Sequence, residues 1–353
     1  MIPTGPYDAI LVLSFGGPEG PDEVLPFLEN VTRGRQIPPE RLAAVAGHYA
    51  QFGGVSPINA ATRDLMAALT LQVAVGGPQL PIYWGNRNWR PLLADTVAQM
   101  AADGVGRAVC FVTSAYGGYS SCRQYLEDIA RARAQVGAGA PVIDKLRPFF
   151  DHPGFIDPFV RSTRAALASL EPDLAGRAHL VFSAHSVPLA QAEVTDYAAE
   201  VAEASRLVAE RVGAGHPWSL AWQSRSGPAS QPWLEPEIGD RLTALAGAGA
   251  GAVVVVPIGF IADHLEVVYD LDTEAAGLGR RLGLHLVRAA TPGTAPDFVA
   301  MIPELIAERT DPTTSTRRLG SLPPRPADCP DGCCLPRPRG DVGARDAPGH
   351  QRR

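Results

Sequence analysis

A run of four valines between Gly251 and Pro257 does most to narrow what this chain can fold into. In Ala252–Val256 every position is apolar, so both faces of a strand there must be covered. A parallel sheet with helices on each side provides that cover, whereas an antiparallel sheet with one wet face would show alternation. The same pattern recurs at Ala9–Phe15, Arg107–Thr113 and His179–Ser183. Shorter strands are expected at Ile82–Trp84, Pro141–Lys145, Trp218–Gln223 and Leu284–Val287. Helical segments fall between them: Glu23–Val31, Glu40–Phe52, Thr62–Val75, Leu92–Asp103, Pro158–Leu170, Val194–Val212, Pro236–Ala246, an acidic helix reaching Arg281, and Pro296–Arg309.

Strands alternating with helices imply an α/β architecture. Counted by strands, the pattern restarts near residue 150. The expectation is two doubly wound, Rossmann-like domains, 1–150 and 151–309, each a parallel four-stranded sheet flanked by helices, with the last helix free to pack back on the first domain. After Arg309 the apolar period stops and Pro, Arg, Gly and Asp dominate. Residues 310–335 read as a cysteine-bearing extension and 336–353 as a disordered tail.

The 353 residues are 46% apolar, enough for a large core, and the net charge of −6 argues against a nucleic-acid surface. No apolar run approaches the ~18 residues that span a bilayer. The N-terminal MIPTGPYDAI lacks the basic and apolar regions of a signal peptide, so a cytoplasmic location is expected, with a monomer as the default. Five cysteines, an odd count, argue against a disulfide framework, and three of them (Cys329, Cys333 and Cys334) crowd into six residues, which points to metal. Cys110 lies inside an apolar strand and reads as core.

In open parallel sheets ligands bind beyond the carboxyl ends of the strands. Phe15-Gly16-Gly17, Tyr116–Tyr125, His185, Gln223 and Asp263–Glu266 all fall there, from both halves, so the expected site is the cleft between domains. Glu266, Asp270 and Glu274 stand at i, i+4 and i+8, one row on a helix, where like charges repel unless a cation or proton path serves them. The bland alternative is a capping box with Asp263 as N-cap and Glu266 at the third position. Ser56 likewise fits the N-cap of a helix starting at Pro57. His185, a neutral imidazole facing a carboxylate, would form an open N/O site suited to Fe²⁺, Co²⁺ or Zn²⁺.

The blocks Phe182–Pro188 (FSAHSVP) and Pro257–Glu274 (PIGFIADHLEVVYDLDTE) resemble those of the ferrochelatases, which insert Fe²⁺ into a porphyrin. Leu13–Val24, Gly53–Asn59, Trp222–Pro228 and Pro232–Pro236 are similar to other blocks of that family, and the match runs from about Ala9 to about Arg309. The closest resemblance is to the actinobacterial branch, which acts on coproporphyrin III. It implies the class II chelatase fold with a porphyrin in the cleft, and insertion of Fe²⁺ with release of two protons in haem biosynthesis. It also implies His185 and Glu266 as metal-binding catalytic residues, Asp270 and Glu274 as an outer metal or proton path, and Ser56 and Tyr125 as porphyrin contacts. Arg33 or Arg35 would meet the propionates. Firmicute relatives carry a Tyr that ligates product iron where this chain has Phe15, so product iron here needs another ligand or none on that side.

Some members of the family hold a [2Fe–2S] cluster through one inner and three C-terminal cysteines, which implies Cys122, Cys329, Cys333 and Cys334 here, with Zn²⁺ as the rival occupant. The competing readings of the whole chain are a protoporphyrin IX ferrochelatase, a cobalt chelatase acting on an early corrin precursor, and a haem or iron carrier without turnover.

Overall fold

The computed structural model describes residues 5–34, 37–213, 215–227, 230–326, 328–330 and 332–335. The expected tail, 336–353, and Arg35 of the basic loop lie outside these residues.

The first half begins with β1 (Ala9–Ser14), α1 (Pro21–Val31), α2 (Pro39–Ala50), α3 (Ile58–Gly76) and β2 (Ile82–Asn86). It continues with α4 (Leu93–Ala102), β3 (Arg107–Val112), a π-helical turn at Tyr119–Arg123, α5 (Gln124–Val136) and β4 (Val142–Lys145). In the second half α6 (Pro153–Ala168), α7 (Pro172–Ala175), β5 (His179–His185), α8 (Leu189–Ala192), α9 (Tyr197–Val212) and β6 (Trp218–Gln223) come first. Then follow α10 (Ile238–Gly247), β7 (Ala252–Val256), α11 (Leu265–Val267), a second π-helix (Val268–Ala275), α12 (Ala276–Arg281), β8 (His285–Arg288) and α13 (Pro296–Thr310).

Two four-stranded sheets form, in the orders β2-β1-β3-β4 and β6-β5-β7-β8, and every pairing is parallel. The valine strand β7 is fully buried, as its composition requires. In each sheet the order reverses beside the first strand of its half, between β1 and β3 and between β5 and β7. That reversal opens a crevice at the carboxyl edge, because the connections on either side leave toward opposite faces.

One apolar cluster runs through both halves, joining Val12 and Phe111 of the first sheet to Phe182 and Val254 of the second through Phe149, Phe155 and Phe298. Helix α13 packs on α3 and α6. Its Glu308 accepts from Nε and Nη2 of Arg147, at 2.7 and 3.1 Å, with both side chains less than a tenth exposed. A smaller cluster is formed by Val24, Phe27, Leu28, Tyr49 and Leu265, so the α1–α2 hairpin leans across to the segment after β7.

Three local expectations change. Helix α6 starts at Pro153, ahead of Pro158, because His152 caps it through Nδ1, which accepts from the Gly154 amide at 3.0 Å. Ser56 does not cap α3: the N-cap position is Pro57, without a side-chain bond, and Ser56 is buried under the glycine turn instead. The acidic helix is not one regular helix but a short α-turn, a π-helix and α12.

The polar face of α9 is also not left to water. Glu200 and Glu203 are 1% and 8% exposed because the extension after α13 lies on them. Arg325 pairs with Glu200, and Glu203 accepts from the backbone amide and hydroxyl of Ser321 at 2.7 and 3.0 Å.

Candidate functional site

His185 is the last residue of β5, in register with Gln223 of β6. Its Nδ1 lies 2.5 Å from the Ser186 carbonyl oxygen. A carbonyl only accepts, so Nδ1 carries a proton, and in the neutral ring Nε2 is the nitrogen with the lone pair. Tyr197 of α9 donates to the His185 carbonyl at 2.9 Å, fixing the backbone behind the ring. Gly259 packs so tightly on β5 that a Cβ there would stand 2.7 Å from Ala184 Cα, which brings the loop after β7 against the strand that ends in His185.

That loop carries Glu266, whose Oε2 is 3.7 Å from His185 Nε2. With the tautomer set by Ser186, an imidazole lone pair and a carboxylate face each other. Two acceptors in that posture call for a shared proton or a cation. Both side chains are open to solvent, at 36% and 52%. His264 adjoins them: it is half-buried, edge-on against Phe260 at 4.9 Å, and desolvation lowers its pKa, which favours the neutral imidazole. Sequence reasoning named the block that holds His264 without giving that residue a role. Its position between Asp263 and Glu266 was the available signal.

Asp263 does not cap a helix. The N-cap of α11 is His264, with no side-chain bond, and Asp263 is bound by Arg288 and Thr291. Behind Glu266, Asp270 accepts from Ser224 Oγ at 2.5 Å and from Gln223 Nε2 at 3.3 Å. Burial raises its pKa to about 6, and the charges of Glu266 and Glu274 push in the same direction. Ser224 adopts φ 61°, a left-handed conformation that costs a non-glycine residue energy and concentrates at functional sites. Glu274 follows one step outward, hydrogen-bonded to Tyr269, whose ring stacks on His48 of α2 at 3.8 Å. The row therefore leads from His185 toward the surface beside the α1–α2 hairpin.

The first half of the chain carries Phe15, 36% exposed just past β1. Gly16 adopts φ 81°, and at Gly17 any Cβ would fall 2.7 Å from that of Ser56, so the turn admits no side chain. Ser56 is 4% exposed beneath that turn, and Tyr125 is 4% exposed in the core of the first sheet. The guanidinium of Arg87 covers the Tyr125 ring at 4.4 Å, reaches the Phe15 ring at 6.0 Å and pairs with Asp128. Arg87, which the sequence reading did not single out, is thus held largely out of solvent between the Tyr125 and Phe15 rings. Arg33 is exposed in its loop.

The four cysteines implied by the resemblance come together, although three lie beyond α13. Cys122, in the first π-helical turn, is hydrogen-bonded to Cys329, Cys329 to Cys333, and Cys333 Sγ stands 3.6 Å from Cys334 Sγ. That first bond, more than burial, raises the Cys122 pKa, and it lowers that of Cys329. Lys145, 8% exposed, also hydrogen-bonds Cys122. Among the described residues no three His, Cys, Asp or Glu side chains form a ready-made metal cage. Cys110 is fully buried, and burial pushes its thiol up to about 12. No helix among the described residues is long and apolar enough to cross a membrane.

Comparison with known proteins gives the family and the fold. The ferrochelatase family model matches residues 7–310. The coproporphyrin III ferrochelatase of Nocardia farcinica is 52% identical over 352 residues, covering 96% of this chain and 99% of that protein. The coproporphyrin III ferrochelatase of Frankia alni is 52% identical over 345 residues, with 95% and 88% covered. The ferrochelatase of Rhodopirellula baltica is 49% identical over 335 residues, with 95% of each covered. Among solved structures, SirB from Bacillus subtilis with Fe³⁺ superposes with a TM-score of 0.51 at 11% identity, covering 87% of this chain and 95% of that one, a likeness of fold alone. A family match across residues 7–310, carried on two parallel four-stranded sheets, and relatives half identical over nearly the whole length identify this chain as a member of the ferrochelatase family.

Proposed function

We propose that this protein inserts Fe²⁺ into coproporphyrin III, releasing two protons, and that residues 1–150 and 151–309 act as the two jaws of the porphyrin cleft. The observation that carries the reading is the 3.7 Å approach of His185 Nε2 and Glu266 Oε2, which lets the two groups share a proton or a metal ion. His185 takes a pyrrole proton at Nε2, because Nδ1–H is committed to the Ser186 carbonyl. Glu266, Asp270 and Glu274 form the path on which Fe²⁺ enters or protons leave, with Asp270 poised by burial to exchange a proton near neutrality. Phe15 offers the macrocycle an apolar face and no iron ligand. Ser56 supports the glycine turn beneath the porphyrin, and Tyr125 acts through Arg87, which it carries toward the cleft.

The choice of coproporphyrin III rests on the relatives that bear that name and are half identical to this chain over nearly its whole length. Anaerobic incubation with Fe²⁺ and coproporphyrin III, protoporphyrin IX or sirohydrochlorin tests it. Turnover should be fastest with coproporphyrin III. Preference for protoporphyrin IX or for metal-free sirohydrochlorin, or binding without turnover, would establish one of the rival readings instead. A cytoplasmic monomer without nucleic-acid partners fits the net charge of −6.

Cys122, Cys329, Cys333 and Cys334 belong to this proposal as the ligands of a [2Fe–2S] cluster. Four thiolates are what such a cluster would require, and the Cys333 and Cys334 sulfurs stand 3.6 Å apart. The buried Lys145 ammonium supplies positive charge beside Cys122. A cluster there would cross-link the extension to the first domain and make that link sensitive to redox state. Visible absorption that bleaches with dithionite supports the cluster; colourless protein with one equivalent of zinc favours Zn²⁺.

A further inference from the structure

Five carboxylates, Asp263, Glu266, Asp270, Asp272 and Glu274, fall within twelve consecutive residues that contain no Lys or Arg. Such a segment repels itself. It also includes a π-helix, a form whose wide turn is held only where the surroundings enforce it. A single cation from another element answers this. Arg288, the last residue of β8, lies against Val255 in the ladder. It donates to Asp263 through Nη1 and Nη2 at 3.1 and 2.9 Å, and to Asp272 through Nε and Nη2 at 2.6 and 2.9 Å. Thr291 adds a bond of 3.0 Å to Asp263. The guanidinium is 17% exposed, so the fork is largely withdrawn from water.

The two carboxylates that Arg288 grips are the two outside the row. Asp263 precedes His264 and Glu266; Asp272 follows Asp270. Planar bidentate pairing fixes direction as well as distance, which a lysine cannot do for two carboxylates at once. We propose that Arg288 is a positioning residue for metal insertion. By clamping Asp263 and Asp272 together it sets the span of the segment bearing His264, Glu266 and Asp270, holds Glu266 opposite His185, and keeps Asp272 from joining the row as a surplus oxygen ligand. This rests on the reading of Glu266 and Asp270 as the metal-facing groups.

The test measures Fe²⁺ kinetics and porphyrin binding separately in the full chain. Arg288→Met should lower kcat/KM for Fe²⁺ at least tenfold while porphyrin affinity, read by fluorescence quenching, stays within twofold. Arg288→Lys should recover only a minor part of the loss. Asp272→Asn, a milder change that keeps the Asp263 arm, should give a smaller loss and remains informative if Arg288→Met does not fold. Adding Asp263→Asn to Arg288→Met should cost little more, since both break one clamp. Fe²⁺ kinetics within twofold of the parent in Arg288→Met or, where that variant does not fold, in Asp272→Asn would overturn the clamp, as would parallel losses of porphyrin affinity and iron kinetics. An unsubstituted protein that inserts no Fe²⁺ into any porphyrin would instead overturn the underlying metal-site reading.

Discussion

Tyr197 Oη donates to the backbone carbonyl of His185 at 2.9 Å, and the same ring packs between Tyr116 and Trp222. An aromatic wedge thereby fixes the end of β5 whose side chain faces Glu266. A hydrogen bond of this kind contributes about 0.5–1.5 kcal/mol, so Tyr197→Phe should slow insertion by roughly twofold to tenfold. Porphyrin affinity should not change. Steady-state insertion rates beside fluorescence titration check this, and unaltered kcat would show that the bond is not needed to aim His185.

His185→Ala removes the imidazole whose Nε2 stands 3.7 Å from Glu266. General-base loss typically costs about 10²–10⁴-fold, so turnover should become nearly undetectable while the porphyrin still binds. The measurement is anaerobic single-turnover absorbance, and a variant turning over at the parental rate removes His185 from the mechanism.

Burial raises Asp270 to about 6, above its ordinary 3.8. Between these values the folded state holds a proton that the unfolded chain has released, so this group's contribution to stability declines as pH rises through that window. If ionised Asp270 serves the path, kcat/KM for Fe²⁺ climbs with pH through about 6. Asp270→Asn should lower the plateau and flatten that limb, as a pH–rate profile of both proteins would reveal.

Glu203 behaves in the opposite sense. Arg206, with the amide and hydroxyl of Ser321, depresses it to about 2. Its stabilisation is complete above the ordinary carboxylate range and fades as pH falls from there toward 2. The extension should therefore loosen in acid. Hydrogen exchange at Ser321 should accelerate below about pH 4 in the parent, whereas Glu203→Gln should show fast exchange already at neutral pH.

Cys122→Ser should abolish any dithionite-bleachable absorption, while Cys110→Ser, whose sulfur lies inside the first sheet, should retain it. Equal spectra for the two variants would separate the chromophore from the four-cysteine group.

The apolar runs alone determined the strands, and the alternation with helices determined two parallel sheets, because a strand apolar at every position can only sit between two layers. The spacing of Glu266, Asp270 and Glu274 marked the acidic row, and the blocks around His185 and Asp263 marked the family. Only tertiary structure decided the roles within those blocks. Asp263 reads locally as a helix cap, yet an arginine from β8, near only after the sheet forms, claims its carboxylate. Ser56 reads as a cap and becomes packing for a glycine turn. The acidic row is continuous in sequence but its helix is partly π, since the widened turn depends on contacts made by Ser224 and Arg288 from other elements. Likewise, the polar face of α9 looks like a wet surface until the extension folds back on it. Local propensity reaches only a turn or two along the chain; charges and cavities that meet across the fold are invisible at that range.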